Sequence, residues 1–379
     1  MINSIHDNKK LAILAPVAGS GGVQKIVVNL VNGLVSEGWP IDVICADAHE
    51  GLPELDARAR LLDMGVLSTH GDLKLIKGFQ KIRSTIHRGD YSALVTVPGF
   101  AGQIGILACL GLSTRVVVMA DNKLSLLKEL GGMHGLQLKT AQLLYPKADA
   151  VVAAHNSALA DLKRMLPAGG KAVQVRIYHP LIPEDVVELS EIEPKNPIRD
   201  DQQIVVAAGR LVDEKDFPTL LRAFALVRQR QPAELIILGD GPLRNQLTAL
   251  ARKLGIFEFV RFEGMVNNVY SYFSRSSVFV LSSKREAFGN VLIEALASGT
   301  PCVATSCASG GPQEILADGK YGSLVEIGDV QGMAEAITQC LEGFNAGGKD
   351  SGILVNRSID FTIRQSALQY SSLIERLVG

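Results

Sequence analysis

The chain has 379 residues, 47% of them hydrophobic and 20% charged, so it is too long for one ordinary α/β core and too apolar for disorder. Lys plus Arg number 38 against 39 Asp plus Glu, and only 5% of residues are aromatic, which excludes the basic footprint and stacking platforms of a nucleic-acid-binding protein. Cys45, Cys109, Cys302, Cys307 and Cys340 are odd in number and form no Cys-x-x-Cys, which argues against a disulfide framework or a zinc site and for free buried thiols.

In chain order, Lys9 and Lys10 precede an apolar run that is short, contains Pro16 and ends in a glycine turn. It reads as a first strand, 11–15, rather than a signal peptide. A helix over 23–37 follows, then strands at 41–46, 93–97, 116–119 and 150–153. The run 97–112 holds Gln103 and four glycines and is shorter than the roughly 20 residues that span a bilayer, so it reads as a buried turn and helix. The expected location is cytoplasmic.

The helix predicted over 73–87 combines Lys74, Lys77, Lys81 and Arg83 with Leu73, Ile76, Phe79, Ile82 and Ile86. Two readings fit it: a packed helix with a solvated face, or a helix resting on anionic lipid, with peripheral contact on the inner face of the membrane. Segment 180–203 contains Pro180, Pro183, Pro194 and Pro197 among acidic residues and reads as a linker. Strands at 204–208, 235–238, 260–262, 278–281, 302–305 and 323–326 repeat the earlier alternation. Residues 362–377 place Ile363, Ala367, Tyr370 and Leu373 at helical spacing.

Continuous apolar strands separated by helices predict parallel sheets covered on both faces, one sheet in each half. The expected domains are 1–180, a linker 181–203, a second domain 204–355 and a terminal segment 356–379. Ligands bind beyond the carboxyl ends of such strands, so candidate residues are those just after them.

Gly19-Ser20-Gly21-Gly22 follows the first strand and precedes a helix. It is either a plain turn, a dinucleotide turn with Asp47 as the ribose acid but lacking the third glycine, or a phosphate-facing loop. Gly209-Arg210-Leu211-Val212-Asp213-Glu214-Lys215-Asp216 follows the strand 204–208 and puts Arg210 and Lys215 over a helix start, which suits a diphosphate or merely a charged surface loop. Strand 278–281 runs into Ser282-Ser283-Lys284-Arg285-Glu286-Ala287-Phe288-Gly289-Asn290 and then an apolar helix carrying Glu294. A carboxylate among apolar neighbours needs donors, and ribose hydroxyls would supply them.

Seven residues separate Glu286 from Glu294 in E-A-F-G-N-V-L-I-E-A-L-A-S-G-T-P. Together with G-R-L-V-D-E-K-D-F, I-L-G-D-G-P-L-R, V-R-F-E-G and S-G-G-P-Q-E-I-L in that order, this resembles the E-x7-E retaining glycosyltransferases of family 4. The resemblance implies a GT-B fold, an α/β architecture of two facing Rossmann-like domains with parallel sheets and an inter-domain cleft, and a last helix that crosses back to the first domain. By the same resemblance Arg210 and Lys215 bind the donor diphosphate. Gly289, Asn290 and Val291 offer it backbone N–H groups, and Gly21 and Gly22 close over it. Glu286 contacts the donor sugar in a pocket lined by Ala287 and Phe288. Glu294 holds the ribose, and Met265 and Val266 lie beside the base.

Two positions depart from the family pattern. Where His or Arg often faces the sugar after the fourth strand, this chain reads Met119-Ala120-Asp121-Asn122, so Asp121 or Asn122 takes that place. The usual Asn-Pro before the linker is His179-Pro180. His134 and His155 are read as loop residues, His155 on the sugar or acceptor side or as an ordinary polar residue.

The expected activity is retaining transfer of a hexose or N-acetylhexosamine from a nucleoside-diphosphate sugar, a UDP-sugar by expectation, to a glycan or lipid-linked acceptor in cell-surface polysaccharide or glycolipid synthesis. No Asp-x-Asp follows a strand, so no metal and no cofactor beyond the nucleotide-sugar co-substrate is expected. The competing readings are a nucleotide-sugar epimerase of the same fold, a nicotinamide-dependent oxidoreductase and a non-catalytic sugar-binding protein.

Overall fold

The computed structural model describes residues 9–15, 22–45, 52, 55–65, 72–120, 123–167, 169–199, 202–345 and 351–379. The chain divides into two compact units, one formed by Met1–Leu181 with Phe361–Gly379, the other by Ile182–Asp360.

The first unit carries a seven-stranded parallel sheet in the order β3-β2-β1-β4-β5-β6-β7. Its strands are β1 (Leu11–Ala15), β2 (Ile41–Cys45), β3 (Arg60–Asp63), β4 (Ala93–Thr96), β5 (Arg115–Ala120), β6 (Ala150–Ala153) and β7 (Val173–Arg176). The connecting helices are α1 (Gly22–Ser36), α2 (Asp72–Gly89), α3 (Ala101–Cys109), α4 (Leu124–Leu130), α5 (Gly132–Leu144) and α6 (Asn156–Met165). β1 and β6 are uninterrupted apolar runs because both of their faces are covered, whereas β2 is interrupted by the buried Asp42. β3 and β7 were not legible in advance. As edge strands they are half-exposed and polar in part, Arg-Leu-Leu-Asp and Val-Gln-Val-Arg, so they lack a continuous apolar run.

The second unit carries a six-stranded parallel sheet in the order β10-β9-β8-β11-β12-β13. Its strands are β8 (Ile204–Ala208), β9 (Glu234–Leu238), β10 (Val260–Gly264), β11 (Val278–Leu281), β12 (Cys302–Thr305) and β13 (Ser323–Val325). Its helices are α7 (Val186–Glu191), α8 (Phe217–Arg230), α9 (Arg244–Lys253), α10 (Tyr270–Phe273), α11 (Asn290–Ala297), α12 (Gly311–Ile315), α13 (Val330–Asn345) and α14 (Ser351–Ser358). Helix α8 shows how the sequence builds this core. Phe217, Leu220, Leu221, Phe224 and Val227 recur at helical spacing and are all buried, each worth about 1.5–3 kcal/mol relative to exposure.

The stretch read as an irregular linker contains α7 and is fastened to the second unit. Asn268 donates to the carbonyl of Leu189 at 2.7 Å and Arg275 to that of Ser190 at 2.7 Å. The final helix, α15 (Ile363–Val378), belongs to the first unit and packs on α1. Thr362 caps it by accepting from the N–H of Gln365, and the indole of Trp39 donates to Ser371 Oγ at 2.8 Å. Gly33 allows the approach: a Cβ there would stand 2.8 Å from that of Ala367.

Candidate active site

Both sheets reverse strand order once, between β1 and β4 in the first unit and between β8 and β11 in the second. At such a switch point the loops leaving the two adjacent strands diverge and open a crevice beyond their carboxyl ends. In the second unit these two loops are 209–216 and 282–289, which hold the cations and the first glutamate singled out in the sequence.

The two loops are laced together. The N–H groups of Lys284 and Arg285 both donate to the carbonyl of Glu214, at 2.8 and 3.3 Å, and Ser282 Oγ donates to the carbonyl of Lys215 at 2.8 Å. Lys284 Nζ lies 3.1 Å from Asp213 and 3.8 Å from the buried Asp216. Across this lacing, Lys215 Nζ donates to Glu286 Oε1 at 2.5 Å, and Ser283 Oγ donates to the same oxygen at 2.7 Å. An ammonium has three donors, so one bond to Glu286 leaves Lys215 with capacity for phosphate oxygens. Asp216 adopts a left-handed backbone (φ 45°), which ends the short turn 213–215 and starts α8; its carboxylate accepts from Thr219 Oγ1 at 2.8 Å. Arg210 is exposed and in no ion pair among the described residues.

The glycines have specific reasons. Gly289 sits at φ 107° immediately before α11, a conformation that disfavours a side chain, and it presents the start of that helix. Gly311 lies so close to Phe288 that a Cβ would stand 2.2 Å from the Phe288 carbonyl oxygen, so the glycine pair opening α12 supports the loop that follows Glu286. Thr305 Oγ1 and Cys307 Sγ both donate to the carbonyl of Ser283, at 2.5 and 3.2 Å, and fix the loop from the β12 side. Burial pushes the Cys307 thiol above its ordinary value, so it acts as a neutral donor.

Glu294 is buried one turn into α11, beside Tyr270, whose hydroxyl is pushed well up by burial and then by the Glu294 charge. Asn290 and Val291 are half-buried in the first turn, Ala287 is half-buried, and Phe288 is buried. Met265, just beyond β10, is 78% exposed and Val266 half-buried. In the first unit Gly22 is the exposed first residue of α1, whereas Gly21, Asp47, Asp121 and Asn122 lie outside the described residues. His155 is buried and caps α6, its Nδ1 accepting from the N–H of Ala158 at 3.1 Å; His134 lies in α5, not in a loop. Sequence reasoning passed over Ser283, Asp216 and the Lys284–Asp213 pair. Only the adjacency of β8 and β11 brings them together, and no local pattern encodes it.

Residues 189–345 match the family model described as glycosyl transferases group 1, and residues 21–178 match that of the glycosyl transferase 4-like domain. The chain belongs to the group 1 glycosyltransferases. It is 27% identical over 344 residues, 88% of this chain and 90% of the relative, to an N-acetylgalactosamine-N,N'-diacetylbacillosaminyl-diphospho-undecaprenol 4-alpha-N-acetylgalactosaminyltransferase of Campylobacter jejuni. It is 42% identical over 140 residues, 37% of this chain and 39% of the relative, to the lipopolysaccharide core biosynthesis glycosyltransferase LpsE of Rhizobium meliloti. The solved structure of HepE from Anabaena in complex with UDP superimposes with a TM-score of 0.75 at 19% identity, covering 97% of this chain and 100% of that one. The fold is that of the GT-B glycosyltransferases.

Proposed function

We propose that this glycosyltransferase moves a hexose or N-acetylhexosamine from a UDP-sugar, with retention and without a metal, to a glycan or lipid-linked acceptor in cell-surface polysaccharide or glycolipid synthesis. The observation that carries the donor half is the Lys215–Glu286–Ser283 cluster beside the Gly289 helix start, at the switch point of the second sheet. A departing nucleoside diphosphate gains negative charge, and stabilising it is usually the largest catalytic effect. Arg210, Lys215 and the opening N–H groups of α11 are the donors available for it. Glu286 would accept from sugar hydroxyls, Glu294 from the ribose, and Met265 and Val266 would flank the base. Asp121 and Asn122 are assigned to the sugar or acceptor side, whereas the burial of His155 and its capping of α6 favour its reading as an ordinary polar residue.

The relatives favour this substrate range: one is named for transfer onto a diphospho-undecaprenol-linked sugar, another for lipopolysaccharide core synthesis, and HepE was solved with UDP. A lipid-linked acceptor places the enzyme at the inner face of a membrane as a peripheral protein; among the described residues no helix is long and apolar enough to cross one. Calorimetric titration with UDP, GDP, ADP and NAD, on wild type and Glu294→Ala, tests the reading. UDP binding weakened by the substitution supports it; a preference for GDP or ADP replaces the donor, and binding of none of the diphosphates overturns the donor site. Turnover undiminished in EDTA tests metal independence, and the anomeric configuration of the product tests retention.

A further inference from the structure

Helices α2, α3 and α5 of the first unit cover the same face of the seven-stranded sheet. Ile82 and Ile86 of α2, Ile106 of α3 and Leu138, Ala141 and Leu144 of α5 share one buried cluster with the strands. Arg83 ties α2 to the carbonyl of Ala108 at 2.6 Å, and Gln103 ties α3 to the carbonyl of Gln137 at 3.3 Å. The inner side of this layer is therefore accounted for.

The outer side is unusual. On α5, Met133, Leu136 and Leu143 are 66%, 52% and 66% exposed. They fall at i, i+3 and i+10, on one stripe to the side of the buried face of Leu138, Ala141 and Leu144. Leu107 and Leu110 at the end of α3 are exposed as well. Single exposed leucines are ordinary, but a periodic stripe of them is not. The charge of the segment points the same way. Residues 72–147 contain ten Lys or Arg and four Asp or Glu, a net +6 in a chain whose total is −1. Exposed Lys128, Lys139 and Lys147 lie on or beside the helix that bears the stripe.

We infer that the outer face of α3 and α5 docks on an anionic lipid bilayer, with Met133, Leu136 and Leu143 entering the headgroup boundary and the lysines meeting the lipid phosphates. A helix with an apolar stripe and flanking cations lies in that boundary, and cations near an anionic leaflet add electrostatic attraction. This surface differs from the helix 73–87 singled out in the sequence: α2 supplies charge, while α5 supplies the apolar contact. The inference extends the membrane-side reading above, but its test needs neither donor nor acceptor.

The experiment is co-sedimentation of the whole chain with vesicles of phosphatidylglycerol mixed into phosphatidylcholine, against vesicles of phosphatidylcholine alone. Wild type is expected to pellet with the anionic vesicles and to be released by salt. Leu136→Ser combined with Leu143→Ser, and separately Lys139→Glu combined with Lys147→Glu, should each weaken vesicle binding about tenfold or more, with UDP titration unchanged. Both pairs change exposed side chains, so folding is retained and is checked by the same titration or, independently, by circular dichroism. Absence of vesicle binding, or binding that survives both double substitutions, overturns the inference. So does a chain dimer in analytical ultracentrifugation that the leucine substitutions dissolve, because the stripe would then be an interface between copies.

Discussion

Lys215 and Glu286 are 71 positions apart in the chain, yet their side chains meet at 2.5 Å, and Ser283 donates to the same carboxylate oxygen. The ammonium is thereby held at one end while its remaining donors stay available. The pair spans the two loops that leave adjacent strands β8 and β11, so the fold, and not the local sequence, sets their distance.

Lys215→Ala removes the cation assigned to the leaving diphosphate and leaves Glu286 without its ammonium partner. Turnover should fall by roughly 10²–10³-fold with the thermal midpoint nearly unchanged, since removing one such donor costs about 3–4 kcal/mol in the transition state. Steady-state kinetics beside differential scanning calorimetry checks both halves. Unchanged turnover would remove Lys215 from the machinery.

Ser283→Ala should be milder. Its hydroxyl donates to a charged acceptor, a bond worth about 1.5–3 kcal/mol, while Lys215 still holds the same oxygen. A drop of about tenfold in kcat/KM is expected, and Ser283→Thr should restore part of it by supplying the hydroxyl again. Equal losses in both variants would mean that the site lacks room and that the hydrogen bond is not what matters.

Gly311→Ala would drive a Cβ to within 2.2 Å of the Phe288 carbonyl oxygen, so backbone must move. Overpacking of this kind costs about 1–3 kcal/mol, and the displaced segment is the one between Glu286 and α11. The thermal midpoint should fall by several degrees and nucleotide affinity should fall with it. Gly343→Ala, in a helix with nothing near its Cβ, is the matched control and should show neither effect.

The acid limb of stability should report Asp42. Its burial alone would raise the carboxyl, but Arg60, Lys10 and Tyr91 all bond to it and hold it below the ordinary 3.8. A lowered folded value contributes stability that is fully present above the unfolded value and lost as pH falls through the folded one. Chemical denaturation between about pH 6 and pH 3 should show wild type losing stability below about pH 4, with a shallower loss in Asp42→Asn. Tyr91→Phe should cost about 1–3 kcal/mol at neutral pH by deleting one bond to the buried carboxylate.

The sequence by itself determined the alternation of buried strands and helices, because a strand covered on both faces is favoured to be apolar, and β1, β6, β8 and β11 are so throughout. It also determined which residues stand at the strand ends: the glycine before α11 and the spacing of Glu286 and Glu294 are local facts. Edge strands β3 and β7 were beyond it, since a half-solvated strand need not be apolar. So was the outer stripe of α5, because a leucine reads the same whether it faces a core or solvent; only the packing of Leu138, Ala141 and Leu144 against the sheet leaves Met133, Leu136 and Leu143 outside. Only the tertiary structure brought Ser283, Lys284, Asp213 and Asp216 around Lys215 and Glu286, because strand order decides which loops are neighbours, and strand order is set by non-local pairing that no short stretch of residues encodes.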